Sequence, residues 1–200
     1  MEPLITHTGR VLPLRRSDVD TDQIIPSQYC RRLTKSGYQD ALFARWRQED
    51  GFVFNQPARA TSTVLVAGPN FGTGSSREHA VWALRDWGVA AVIAPSFGDI
   101  FRRNALKNGL LVAQLPEDVV DRLLAEAEHD TTLEVTVDLQ ECEVRWPGGR
   151  QRFDIDDRAR WLLLNGLDDI AVTLENRDSI GAYEASRQHW LPVFSPAVAG

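Results

Sequence analysis

Thiols are scarce in this 200-residue chain: Cys30 and Cys142 are the only two. That scarcity excludes a disulfide framework and makes a reducing cytoplasm the natural setting. It also leaves too few thiolates for an iron–sulfur cluster, which takes roughly three or four. No apolar run approaches the roughly 20 residues that span a bilayer. The opening Met1-Glu2-Pro3-Leu4 lacks the basic-then-apolar pattern of a secretory leader, so neither membrane nor export is expected. Positive charge is not in excess, with 22 Lys and Arg against 28 Asp and Glu for a net −6. The paired arginines (Arg15-Arg16, Arg31-Arg32, Arg102-Arg103) are isolated, which argues against nucleic acid as a partner. His7, His129 and His189 are scattered with no metal-ligand spacing. Repeats, low-complexity tracts and linkers are absent, so residues 1–200 read as one domain with a less regular segment over 1–60.

What is present is an alternation of strands and helices. A short strand is expected near Val11–Leu14, and the β-branched run Ser62–Ala67 reads as a buried strand. The loop Gly68–Gly74 leads to a helix from about Ser76 to Trp87, with Ala80, Val81, Ala83, Leu84 and Trp87 at helical spacing and Gly88 as a left-handed stop. Strand Val89–Ala94, helix Phe97–Lys107, strand Leu110–Ala113 and helix Pro116–Glu128 follow. This order demands neighbouring parallel strands, and the unbroken apolar character of Val89–Ala94 suits a strand covered on both faces. From Thr132 the pattern changes to alternation (Leu133, Val135, Val137, Leu139), and Val144 and Trp146 precede the turn Pro147-Gly148-Gly149, as in antiparallel ribbons. Two or three short helices close the chain, the clearest over Ile180–Gln188. The class is mixed α/β with a layered sheet.

The informative stretch is Gly68-Pro69-Asn70-Phe71-Gly72-Thr73-Gly74-Ser75-Ser76-Arg77-Glu78-His79-Ala80, which leaves a strand at its carboxyl end and enters a helix. Open α/β sheets place ligands there, and helix-terminal amides favour an anion. A phosphate-binding loop would need lysine, a dinucleotide fingerprint would need glycine at position 77, and a nucleophile elbow would need Gly-x-Ser-x-Gly; none is present. A triad through His79 fails because residues three or four apart on one helix point along it. The bland reading is a capping box, Ser75 as N-cap and Glu78 reaching back. It leaves Arg77 unexplained: a cation at the positive end of a helix is unfavourable unless an anion is held beside it. Both readings can hold at once.

Gly74-Ser75-Ser76-Arg77-Glu78-His79-Ala80 resembles the signature of the swivelling domain of the aconitase and isopropylmalate dehydratase family. Asp20-Thr21-Asp22-Gln23-Ile24-Ile25-Pro26 resembles the N-terminal block of its small subunits, and Pro95-Ser96-Phe97-Gly98-Asp99-Ile100-Phe101, on through Asn104 and Lys107-Asn108-Gly109-Leu110-Leu111, resembles the block after the signature. Asn165-Gly166-Leu167-Asp168-Asp169-Ile170 and Thr173-Leu174 resemble the bacterial small subunits of leucine biosynthesis. The likeness covers nearly the whole chain in the family's order.

The resemblance implies an α/β fold of the aconitase-type swivelling kind, layered β/β/α with a mixed sheet. It implies a hydro-lyase that interconverts 2- and 3-isopropylmalate only in complex with a large subunit, whose cysteines hold a [4Fe–4S] cluster; no cofactor or metal is bound by the small chain. By the same resemblance Ser75 is the catalytic base, Ser76, Arg77 and the loop backbone at Gly74 bind the dicarboxylate substrate, and Tyr29, Cys30 and Arg31 reach its variable side. Small-subunit relatives often carry an aliphatic residue where Cys30 stands, so another hydroxy diacid, of the homoaconitase or methylmalate/citraconate type, stays open. So do a cluster-free carboxylate-binding module and a purely structural domain. Asp18, Asp20 and Asp22 invite a calcium loop, but Gln23 and Tyr29 stand where that loop needs Gly and Glu. They read as loop aspartates capping nearby amides. Asp99, Asn104 and Lys107 are candidates to support the pocket. Trp82 and Trp87 read as core.

Overall fold

The structure, a computed structural model, describes residues 1–188 and 190–192. The elements run β1 (Thr6–Leu14), α1 (Thr21–Ile24), β2 (Val64–Ala67), α2 (Glu78–Trp87), β3 (Ala91–Ala94), α3 (Asp99–Lys107), β4 (Leu111–Gln114), α4 (Glu117–His129), β5 (Glu134–Asp138), β6 (Glu143–Trp146), β7 (Gly149–Arg152), α5 (Asp157–Asn165), α6 (Asp169–Leu174) and α7 (Arg177–Ser186). The expected strand–helix alternation is there, and so is the sequence-predicted switch to antiparallel ribbons. The strand near Val11–Leu14 is longer than its sequence pattern announces. The last helix begins at Arg177, ahead of the expected Ile180.

Seven strands form one mixed sheet in the order β4-β3-β2-β1-β5-β6-β7. β1 is the hinge between its two halves. Residues Val11–Leu14 pair in parallel with Val64–Ala67, whereas Thr6–Arg10 pair antiparallel with β5 over Glu134–Asp138. The change falls between Arg10 and Val11, where the strand turns from half-exposed alternation to four buried residues in a row. A strand covered on both faces needs an unbroken apolar run, and a strand with one wet face needs alternation.

Successive residues of the parallel strands feed two separate cores. Leu12, Leu14, Leu65, Ala67, Val92 and Val112 face α2, α3 and the N-terminal segment. Val11, Val64, Val66, Ala91, Ile93 and Leu111 face α4 and the inward side of β5 and β6. Because β2, β3 and β4 step in one direction, crossovers of one hand put α2 and α3 on the same face, as observed.

Between α1 and β2 the chain forms short 3-10 turns, in keeping with its irregular pattern. They are held by aromatic contacts rather than by backbone ladders. Phe43 stacks on Trp46 at 5.3 Å and meets Phe54 edge-on at 4.8 Å, and Phe54 contacts Trp87 of α2 at 5.5 Å. Arg59, buried, donates to the carbonyls of Val11 and Ala127, so its charge lies at the negative end of α4. Gly88 ends α2 with φ of 106°, as the sequence predicts.

The contacts group the chain into two compact units, Met1–Leu167 and Asp168–Gly200, where the sequence reads as one domain. The second unit holds α6, capped by Asp168 through the Ala171 amide at 2.7 Å, and α7. His189 lies outside the described residues.

Candidate active site

Three loops meet at the carboxyl ends of β1, β2 and β3, and each carries one of the sequence blocks singled out above. The loop after β2 is bound on one side to the segment after β1. Gly72 N donates to Val19 O at 2.7 Å, Thr21 N to Thr73 O at 2.9 Å and Asp18 N to Pro69 O at 2.9 Å. On its other side Phe71 N donates to Ser96 O at 3.1 Å and Gly98 N donates to Phe71 O at 2.9 Å. Side chains repeat the pattern, since Asn70 Nδ2 donates to Asp18 Oδ1 at 2.8 Å and Ser96 Oγ donates to Asn70 Oδ1 at 3.0 Å. The chain approaches itself so closely that side chains are forbidden: a Cβ on Gly72 would overlap Phe101, and one on Gly98 would overlap the Gly72 carbonyl.

Ser75 and Ser76 lie exposed on the stretch between this clamp and α2. Helix α2 begins at Glu78 with Arg77 as its N-cap, and no side chain caps it there. The expected capping box is therefore absent, and its two members are engaged elsewhere. The Ser75 hydroxyl and carbonyl lie 3.3 and 3.0 Å from Thr21 Oγ1, and Glu78 Oε1 accepts from Asn108 Nδ2 at 3.2 Å. Asn108 also accepts from Trp82 Nε1 at 3.0 Å and donates to Asn104 O at 2.8 Å. It, rather than Asp99 or Asn104, joins α2 to α3 through its side chain.

Arg77 was expected to await an anion. In the structure it pairs with Asp22 and reaches Ile25 O at 3.4 Å. The conflict between this cation and the helix end is thus met within the chain. The pair stays accessible: the Arg77 side chain is 20% exposed and that of Asp22 48%.

Of the three aspartates, Asp20 acts as the sequence suggests, whereas Asp18 accepts from the Asn70 side chain and Asp22 pairs with Arg77. Asp20 Oδ1 accepts from Gln23 N at 2.8 Å while Gln23 Oε1 accepts from Asp20 N at 2.8 Å, a capping box that starts α1. The glutamine that breaks the calcium pattern is half of this box.

The 3-10 turn Ser27–Arg31 brings Tyr29 and Cys30, both half-buried, against the core beneath α2. Burial pushes the Cys30 thiol up; Arg77 pulls it down and Asp22 pushes it up, so Cys30 sits within electrostatic reach of the ion pair. Cys30 is therefore a protonated thiol at neutral pH. Iodoacetamide should alkylate it more slowly than a free thiol of ordinary acidity, with modification followed by mass spectrometry. Faster alkylation than the free thiol would mean that Arg77 dominates its surroundings. The Arg31 side chain is exposed and makes no hydrogen bond or ion pair among the described residues. His79 packs on Tyr38 and Trp82 at 5.7 and 4.7 Å, and burial lowers its pKa; it faces an aromatic cluster.

The structure thus brings Ser75, Arg77, Gly74 and Cys30 around Thr21 and Asp22, with Tyr29 and Arg31 on the adjoining turn. Thr21 and Asp22 were missed as site residues, although both stand in a block already singled out. A cavity of about 360 Å³ lies between Pro13–Arg16 and Glu49–Val53, and one of about 700 Å³ lies near Pro95, Gln114 and Phe153. Neither is lined by Ser75, Ser76 or Arg77, which occupy an open face.

Residues 1–118 match the family model described as the aconitase C-terminal domain, and residues 121–157 match one described as LeuD_N. The chain is 58% identical over 192 residues to the 3-isopropylmalate dehydratase small subunit of Acidothermus cellulolyticus, covering 96% of this chain and 98% of the relative. It is 56% identical over 196 residues to the small subunit of the same name from Streptomyces griseus, covering 98% of each. Among solved structures, that of 3-isopropylmalate dehydratase from Methanocaldococcus jannaschii is similar, with a TM-score of 0.65 and 29% identity over 90% of this chain and 99% of that one.

Proposed function

Because the chain belongs to the 3-isopropylmalate dehydratase small-subunit family, we propose that it is one half of a hydro-lyase interconverting 2- and 3-isopropylmalate. In this reading it supplies the base and the contacts to the substrate carboxylate, and a large subunit completes the site. The observation that carries the reading is the convergence of three distant blocks on one open face, with an exposed serine beside a guanidinium. A base and a carboxylate-binding cation side by side are what removal of a proton next to a carboxylate requires.

Ser75 is the base. The proton leaves carbon for its oxygen, the carbon–hydrogen pair becomes the double bond, and hydroxide departs from the neighbouring carbon. Re-addition of water in the other orientation gives the isomer. A serine is far too weak an acid to ionise in water, but a closed, dry site with Arg77 and helix-terminal amides nearby favours the alkoxide. Substrate carboxylate competes with Asp22 for Arg77, which is already held at the face. Tyr29 and Cys30 form the less polar side on which an isopropyl group packs, and cysteine is small and apolar enough for that contact.

This chain's donors do not fit an iron–sulfur cluster. Cys30 and Cys142 are two, on separate turns, and among the described residues no three His, Cys, Asp or Glu side chains are grouped to hold a metal. The Lewis acid that eases departure of hydroxide is assigned to the large subunit. Among the described residues no helix is long and apolar enough to cross a membrane; the setting proposed is the cytoplasm.

The test is anaerobic co-expression with the large subunit, followed by turnover of a panel of hydroxy diacids. Isopropylmalate is expected as the best substrate, with no turnover by the isolated chain. Preference for homocitrate or a methylated malate would move the assignment within the family. Tight carboxylate binding by the isolated chain, without need of a partner, would favour a cluster-free binding module instead.

A further inference from the structure

Thr21 is the first residue of α1 and is 2% exposed. Its backbone is held from both sides, by the Asp20–Gln23 capping box and by its own amide donating to Thr73 O at 2.9 Å. β-branching narrows its side-chain rotamers further. A buried hydroxyl must find partners, and both of those of Thr21 belong to Ser75: the carbonyl at 3.0 Å and the hydroxyl oxygen at 3.3 Å.

We propose that Thr21 is a positioning residue that aims the Ser75 hydroxyl and steadies its ionised form. A hydroxyl has one proton to give and two lone pairs to receive with. In the resting chain the Thr21 proton goes to Ser75 O. That leaves a lone pair for the Ser75 proton and turns the free lone pairs of Ser75 Oγ outward, toward the open face. Before substrate binds, Ser75 gives its proton to water at the exposed face. Rotation about the Thr21 Cβ–Oγ1 bond then swings the donated proton from the carbonyl to the alkoxide, no heavy atom moves, and the alkoxide is free to take the substrate proton. The carbonyl it leaves lies on an exposed stretch where water can replace the bond. The geometry suits such a hand-over because Thr21 is rigid and buried while Ser75 sits on an exposed loop with little else to orient it.

This inference rests on Ser75 being the base, so its test is run beside Ser75→Ala in the assembled two-subunit enzyme. Thr21→Val keeps the shape and removes the hydroxyl. A base left unaimed is expected to lower kcat on the order of 100-fold, with KM little changed, because the Thr21 hydroxyl is buried with both its partners on Ser75. Loss of the donor raises the pKa of the serine, so the rising limb of the kcat–pH profile should move to higher pH. Thr21→Ser should restore most of kcat and return the limb. In the Thr21→Val/Ser75→Ala double variant no loss beyond that of Ser75→Ala is expected. Where Thr21→Val does not fold, the comparison of Thr21→Ser with Thr21→Ala carries the same expectation. The proposal is overturned if Thr21→Val keeps wild-type kcat, if its pH limb stays in place, or if Thr21→Ser is as impaired as Thr21→Val. Inactive Ser75→Ala beside unimpaired Thr21→Val overturns this inference alone, and active Ser75→Ala overturns the base reading as well.

Discussion

Ser75→Ala should abolish turnover by the assembled enzyme, with kcat falling by at least about 1,000-fold, within the range attributed to a positioned base. The chain should fold and join its large subunit as before. Ser75 is exposed, its hydroxyl is hydrogen-bonded only to that of Thr21 among the described residues, and Thr21 keeps the Ser75 carbonyl as partner. An exposed substitution away from a cap, a core or a buried network usually changes stability by less than about 0.5 kcal/mol. The measurements are kcat of the reconstituted pair, the melting temperature of the chain and the yield of complex on co-purification. An alanine variant that still turns over at the wild-type rate would place the base elsewhere. One that loses its partner would make Ser75 an interface residue.

Gly72→Ala should have the largest effect on stability among single-methyl changes in the loop. Gly72 has φ of 77°, in the left-handed region, and its Cβ position is already occupied by the ring of Phe101. The backbone conformation costs a non-glycine roughly 1–2 kcal/mol and the overlap another 1–3, so about 3 kcal/mol is expected in all. For a chain of this size that is a fall in melting temperature of about 6–12 °C. The clash falls where the three loops interlock, so activity should drop as well, through displacement of Ser75. Gly74 makes a useful contrast. Its φ of 92° is equally left-handed, but the nearest atom to a new Cβ would be Asp20 Cβ at 3.5 Å. Gly74→Ala should therefore show the backbone cost without the overlap. Equal melting temperatures for the two variants would mean that Phe101 moves aside freely, and that the clamp is looser than its contacts indicate.

Much of the architecture is legible in local patterns because local physics decides it. Buried parallel strands must be apolar on both faces, so Val64–Ala67 and Ala91–Ala94 announce themselves. Gly88 and the turn Pro147-Gly148-Gly149 stand where the backbone must reverse, and both do so. Less legible was β1, whose first half alternates and whose second half does not, because its two ends serve different sheet halves. The amino end of α2 was misplaced for a related reason. Ser75 and Glu78 have the spacing of a capping box, but each finds a partner remote in sequence, Thr21 and Asn108, and those bonds compete with the cap. The anion that Arg77 calls for is likewise supplied in this chain from a remote loop, by Asp22.

The chain order therefore determined which segments become strands and helices, where the glycines must fall, and which family the motifs resemble, because periodicity, backbone freedom and composition are properties of neighbours along the chain. Only the tertiary structure decided that Thr21, Asp22 and Cys30 gather about Ser75 and Arg77, and that the serine stands on an open face. Pairing among charges and hydroxyls on separate loops depends on distances that no local pattern encodes. It is set by how the strands bring their carboxyl ends together.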